Sequence, residues 1–187
     1  MHNSTCNDPY VLVHARARLT SGPEGQTAYL HADLRDPDSI LHDPDLTGVL
    51  DLSQPVALLL IAVLHFLTDE DDPYGIVRQL LAALPAGSYL VISHATADYM
   101  MTREREAINE ANRRDGVRFQ FRGLPEVSDQ FAGLDLMPPG VVPVTDWRPD
   151  TDGGPRPSAA EVACYGGVAR IPGPVGPSRL DPERRIP

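Results

Sequence analysis

The residues able to hold a ligand or move a proton lie at a few separated places. His65 and His94 each close an apolar run, and imidazole is the side chain whose ordinary pKa lies nearest neutrality. Asp8 sits in the Asn7-Asp8 turn and Asp33 closes the run TAYLHA; each carboxylate can only accept hydrogen bonds. The run Asp69-Glu70-Asp71-Asp72 offers oxygens of the kind a hard divalent cation wants. Acids at a helix start also complement the helix dipole, and the reading adopted is that structural one, with no metal site. Cys6 and Cys164 are too far apart in the chain for a multi-cysteine zinc site or a disulfide scaffold, and fit free thiols in a reducing cytosol. All 16 basic residues are Arg, which excludes Schiff-base and P-loop lysine chemistry. No Ser lies in a G-x-S-x-G elbow, and no G-x-G-x-x-G fingerprint supports a nicotinamide-binding oxidoreductase.

The elements that must position these residues alternate. Asp8-Pro9, Asp36-Pro37 and Asp72-Pro73 each precede an apolar-periodic stretch. Asp accepts from the free N–H groups of a first helical turn, and Pro suits the first helical position. Helices are therefore expected at about 9–19, 37–42 and 73–84, the last burying Ile76, Val77, Leu80, Leu81 and Leu84. Between them Thr27–Ala32, Val56–Leu64 and Ser88–Ser93 read as strands. VALLLIAVL is apolar on both faces, as in a parallel sheet covered on both sides. A charged helix is expected at 102–114 and a weaker one at 125–132. Val141–Trp147 and Ala163–Ala169 read as a long-looped antiparallel hairpin at the sheet edge, Pro143 favouring that edge. Gly166-Gly167 reads as a bulge. The fold class is α/β: a partial Rossmann-like sheet, mostly parallel, with a C-terminal antiparallel hairpin and helices on both faces. In such sheets ligands bind beyond the carboxyl ends of the strands. That rule selects Asn7-Asp8, Asp33-Leu34, His65-Phe66 and His94.

Composition narrows the function classes. The chain has 187 residues, 42% hydrophobic and 22% charged, which suits one soluble domain. Val56–Leu64 is short of the roughly 20 apolar residues a membrane span needs, and no basic segment precedes an apolar one at the N-terminus. A net charge of −10 disfavours nucleic acid as a partner. Of the 19 prolines, ten follow Pro138. The segment 172–187 is expected to be a disordered tail behind a domain spanning 7–171.

Asp33-Leu34-Arg35-Asp36-Pro37 followed by VALLLIAVLHFLTDEDDPYGIVRQLLAALPAGSYLVISH resembles class I S-adenosylmethionine-dependent methyltransferases. With NDPYVLVHARARL at the start and VVPVTDWRPD near Trp147, the chain is similar to the actinobacterial S-adenosyl methyltransferase family once listed as a domain of unknown function. The resemblance covers about 7–170. It implies a seven-stranded sheet whose last strand is antiparallel. It implies that Asp33 meets the adenine amino group and that Leu34 offers its N–H to the ring. Asp8, Ala62 and His65 would also line the cofactor site, and His65, after the fourth family strand, would be a general base for a small-molecule acceptor. The implied cofactor is S-adenosylmethionine, and the implied reaction is O- or N-methylation of a small molecule in the cytoplasm.

The departures set further expectations. The family begins with a strand and a Gly-rich loop that Met1–Asn7 does not supply. Cys6 stands where the second strand normally ends in a ribose-binding acid, and a thiol is a poor acceptor. The chain thus looks like a family member lacking roughly its first third. Met1–Cys6 is too polar for a buried strand, so Thr27–Ala32 would lack a partner on the side of Val56–Leu64. Marginal stability and a homodimer through the exposed sheet edge are expected. The alternative is a non-catalytic remnant or partner-binding module of the same ancestry.

Overall fold

The structure, a computed structural model, describes residues 2–6, 10, 13, 14, 17, 25–149 and 156–173. Of the first predicted helix, Tyr10, Val13, His14 and Ala17 are helical; the other positions, Asp8 and the tail beyond 173 lie outside the described residues.

Strand β1 (His2–Cys6) runs parallel to β2 (Thr27–His31), with Cys6 opposite His31. The polar segment read as unfit for a sheet interior is therefore a strand. Its pairing is made by backbone groups, which every residue there carries. After β2, helix α1 (Pro37–Leu41) is capped by the Asp36 carboxylate, which accepts from Ser39 N. Helix α2 (Pro44–Thr47) repeats the device with Asp43-Pro44, an Asp-Pro signal absent from the expected helices. Leu30 of β2, Ile40 and Leu46 form a small core there.

The remaining strands make a second sheet in the order β3 (Ala57–Ile61), β4 (Tyr89–Ala95), β7 (Cys164–Arg170), β5 (Asp135–Leu136), with β6 (Val142–Pro143) also on β7. β3 and β4 are parallel, and β7 is antiparallel to β4, β5 and β6. The expected α/β class with an antiparallel C-terminal part is what forms. Between β3 and β4, helix α3 (Pro73–Ala82) packs Ile76, Val77 and Leu80 with Leu60, Leu90 and Ile92. Each such side chain contributes about 1.5–3 kcal/mol of burial. Helices α4 (Thr102–Arg114), α5 (Leu124–Asp129) and α6 (Ala159–Val162) complete the chain.

Three further expectations need correcting. Val141–Trp147 shrinks to β6 and a 3-10 turn at Val144–Asp146, because Pro143 has no N–H to give a longer ladder. Gly166-Gly167 is no bulge, since its register against β4 is unbroken. A Cβ on Gly166 would stand 2.8 Å from Val144 Cγ1, and one on Gly167 3.0 Å from Phe131 Cζ, so both glycines lie under closely packed side chains. Lastly, β3 is not covered on both sides. Register places Leu59 and Ile61 on the face opposite Leu60, and they stay 55% and 52% exposed. Among the described residues β3 pairs only with β4, so one edge is open and no ladder joins it to β1–β2.

Candidate functional site

The carboxyl ends of β2, β3 and β4 supply the candidate site. Just beyond β2, Asp36 N bonds Asp33 O in a tight turn, and Leu34 points into both cores. The Asp33 carboxylate accepts Arg35 N and is forked by the Arg35 guanidinium, Nε–Oδ1 at 3.0 Å. That pairing raises the Arg35 pKa further. Leu34 N–H takes no partner among the described residues. An open N–H beside a fixed carboxylate is a donor–acceptor pair of the kind an adenine edge requires.

Beyond β3 the chain turns sharply. Ala62 adopts a left-handed φ of 52°, and its N–H donates to Ser93 O and Ser93 Oγ across on β4. A non-Gly residue there costs about 1–2 kcal/mol, a strain held in place by Leu64, which is fully buried in the 3-10 turn Leu64–Phe66. His65, in that turn, is buried. Its Nδ1 accepts Ala95 N–H at 3.4 Å, and its carbonyl accepts Gln120 N at 2.8 Å. In that arrangement the neutral ring carries its proton on Nε2. Burial lowers the His65 pKa, and the Arg122 charge adds to it. Phe66, Phe119 and His94 surround the ring at 4.6, 4.9 and 5.5 Å between centroids.

Sequence reasoning missed the residue that ties these ends together. Arg122 is 1% exposed. Its guanidinium donates to Leu64 O, Leu67 O, His94 Nε2 at 3.1 Å and Asp69 Oδ1 at 2.7 Å. His94 must then hold its proton on Nδ1, which faces Ala95 O at 2.8 Å. Burial is the main reason its pKa falls to about 4. His94 is thus a neutral structural link, walled off from solvent. The available signal was the alternation Arg118-Phe119-Gln120-Phe121-Arg122. Arg118 reaches Thr68 and Asp71, Gln120 accepts Asp69 N, and Arg122 holds Asp69.

The acidic run is occupied in the same way. Asp71 closes a capping box with Thr68 and Asp72 caps α3 through Gly75 N. Gln120, then Arg122, hold the Asp69 pKa below the usual carboxylate range. Asp69, Asp71 and Asp72 thus bond protein partners. The structure brings Ala62, His65 and His94 together at the β3–β4 end and places Asp33 and Leu34 at the β2 end; Asp8 lies outside the described residues.

A family model described as S-adenosyl methyltransferase matches residues 5–172. A DUF574 family protein from Streptomyces avermitilis MA-4680 is 43% identical, with a TM-score of 0.83 over 91% of this chain and 64% of its own. A protein from Thermobifida fusca YX is 33% identical, with a TM-score of 0.75 over 91% of this chain and 62% of its own. The chain therefore spans less than two thirds of the length of these solved relatives. The N-methyltransferase NodS from Bradyrhizobium japonicum WM9, solved with S-adenosyl-L-homocysteine, is 14% identical, with a TM-score of 0.50 over 90% of this chain and 65% of its own. It shares the fold. The comparison with curated proteins gives no match.

Proposed function

The chain belongs to the S-adenosyl methyltransferase family, and we propose that it holds S-adenosylmethionine across the ends of β2 and β3 for methyl transfer to an oxygen or nitrogen of a small molecule. The observation that carries this reading is the Leu34 N–H, without a partner among the described residues, beside the Asp33 carboxylate. Adenine presents a ring nitrogen that accepts and an amino group that donates, which is the complement of that pair. Arg35 fixes the orientation of that carboxylate beside the N–H. The strained Ala62 turn brings backbone close to the space beyond β3.

When bound, the cofactor supplies an electrophilic methyl group on a sulfonium. The chain's own residues have to align the acceptor and take its proton. His65 is the group we assign to the proton. Its contact to Ala95 is long at 3.4 Å, and giving it up frees Nδ1 as an acceptor. Asp8 and Ala62 complete the proposed cofactor contacts. The net charge of −10 suits a cationic ligand and a cytoplasmic protein with neither nucleic acid nor membrane as partner. No helix among the described residues is long and apolar enough to cross a membrane.

Calorimetric titration of S-adenosylmethionine and S-adenosylhomocysteine into the chain tests the reading. Saturable micromolar binding, weakened about tenfold or more by Asp33→Asn, is expected, since a hydrogen bond to a charged group is worth about 1.5–3 kcal/mol. A folded chain that binds neither compound would leave the non-catalytic, partner-binding alternative, which draws on the open β3 edge.

A further inference from the structure

We infer that the cleft between α4 and the segment 117–123 is the methyl-acceptor pocket, and that it takes an aromatic molecule bearing both a carboxylate and an ammonium group. The inference rests on the proposed methyl-transfer site at the β3 and β4 ends.

The cleft encloses about 570 Å³, within the range of small-molecule sites. It begins at Ala97 and Asp98, directly after β4. One wall is aromatic. Phe119 lies 4.9 Å from Phe121 and 4.9 Å from His65, so the wall runs unbroken from the cleft to the ring at the end of β3. A planar ring stacked on that wall brings a substituent toward His65. Aromatic pairs at such spacings add roughly 0.5–1.5 kcal/mol beyond burial.

The opposite wall is one helix. Arg105, Glu106, Asn109 and Asn112 of α4 line the cleft. Most other charges there are already matched. Asp98 accepts Leu124 N and the Tyr165 hydroxyl, Glu126 accepts Gly123 N, Arg122 holds Asp69, and Arg113 holds Glu110. The side chains of Arg105 and Glu106 take no partner among the described residues. The wall therefore offers one cation, one anion and two amides opposite an aromatic face. A guanidinium matches a carboxylate bidentately, and a carboxylate matches an ammonium. An amino-acid-like aromatic zwitterion satisfies both at once, with Asn109 and Asn112 able to bond its remaining polar atoms. A hydrophobic acceptor would leave both charges facing it.

The test is an NMR titration of the 187-residue chain, with and without S-adenosylhomocysteine, using three probes. These are L-tyrosine, tyramine (no carboxylate) and 3-(4-hydroxyphenyl)propanoate (no ammonium). Expected are saturable shifts at the Asn109 and Asn112 side-chain amides and at Phe119 with L-tyrosine, and at least tenfold weaker binding of the other two. Arg105→Gln should remove the preference over tyramine, and Glu106→Gln the preference over the propanoate. Both sites are exposed on a helix and tolerate the change. Equal binding of all three probes, or no shift on α4, overturns the inference. Homocysteine-compound binding without a tyrosine response sinks the cleft and leaves the methyl-transfer reading standing. A tyrosine response with no cofactor binding upholds the cleft as a ligand site and sinks that reading.

Discussion

Replacing Arg122 by Met would leave Leu67 O without a donor, Leu64 O with only the Leu67 N–H, and His94 Nε2 without its cation. Asp69 is mostly exposed and would simply return to water. The expected cost is about 2–4 kcal/mol, from buried acceptors left unpaired and from lost packing, read as a lowered Tm. A change under about 0.5 kcal/mol would mean that the guanidinium holds nothing. His94 gives the second prediction at this scale. Its folded pKa is about 4, against about 6.5 in the unfolded chain. Between those values the unfolded chain binds a proton that the folded chain refuses. The stability His94 contributes should therefore be full above about pH 6.5 and fall by about 3 kcal/mol toward pH 4, with nothing further lost from this group below. Denaturant melts across that range check it, and His94→Gln should flatten the slope. His65, lowered in the same direction, adds to the effect. At the residue scale the sequence exposed the strand-end groups, because strand ends are where apolar runs stop. It did not expose Arg122, since burial of a charge depends on partners 28 to 58 residues away.

Helix starts were legible because their chemistry is local. Asp36 and Asp72 each accept a backbone N–H three residues on, and Pro follows each. Asp72 also sits at a left-handed φ of 49°, where Asn or Gly is tolerated better than Ala. Asp72→Ala should cost about 1 kcal/mol or more, and Asp72→Asn much less, by thermal melt. Gly75 is fixed by the same cap, for any Cβ there would collide with the Asp72 carboxylate. Elements defined by long-range pairing were less legible. β5 is two residues, Asp135–Leu136, and exists only because β7 offers it an edge. VALLLIAVL correctly signalled a strand in a parallel pair. Apolarity on both faces did not tell whether both faces would be covered, as the exposed Leu59 and Ile61 show.

At the scale of the molecule the described residues hold two cores, one around Leu60, Leu90 and Ile92 and one of Leu30, Ile40 and Leu46. Leu34 packs against both, Leu41 of α1 packs against the larger, and Gln79 bonds Asp38 between α3 and α1 at 2.7 Å. With so few ties, the smaller unit should open alone. Hydrogen exchange should find the β2 amides protected by a smaller free energy than those of β4, which is paired on both sides by β3 and β7. Leu34 belongs to the proposed adenine site, so S-adenosylhomocysteine should slow β2 exchange more than β4 exchange. The open edge of β3 gives the companion expectation. A parallel-sheet strand whose one edge is unpaired among the described residues, with two exposed aliphatics, is a template for another strand. Sedimentation should show self-association that rises with concentration, and Leu59→Lys, which places a charge on that strand, should shift the chain toward monomer. The same substitution should leave β2 exchange unchanged, because Leu59 belongs to neither core. If Leu59→Lys instead loosened β2 and left association intact, Leu59 would be covered by the smaller unit, and the picture of two cores joined at Leu34 would fail.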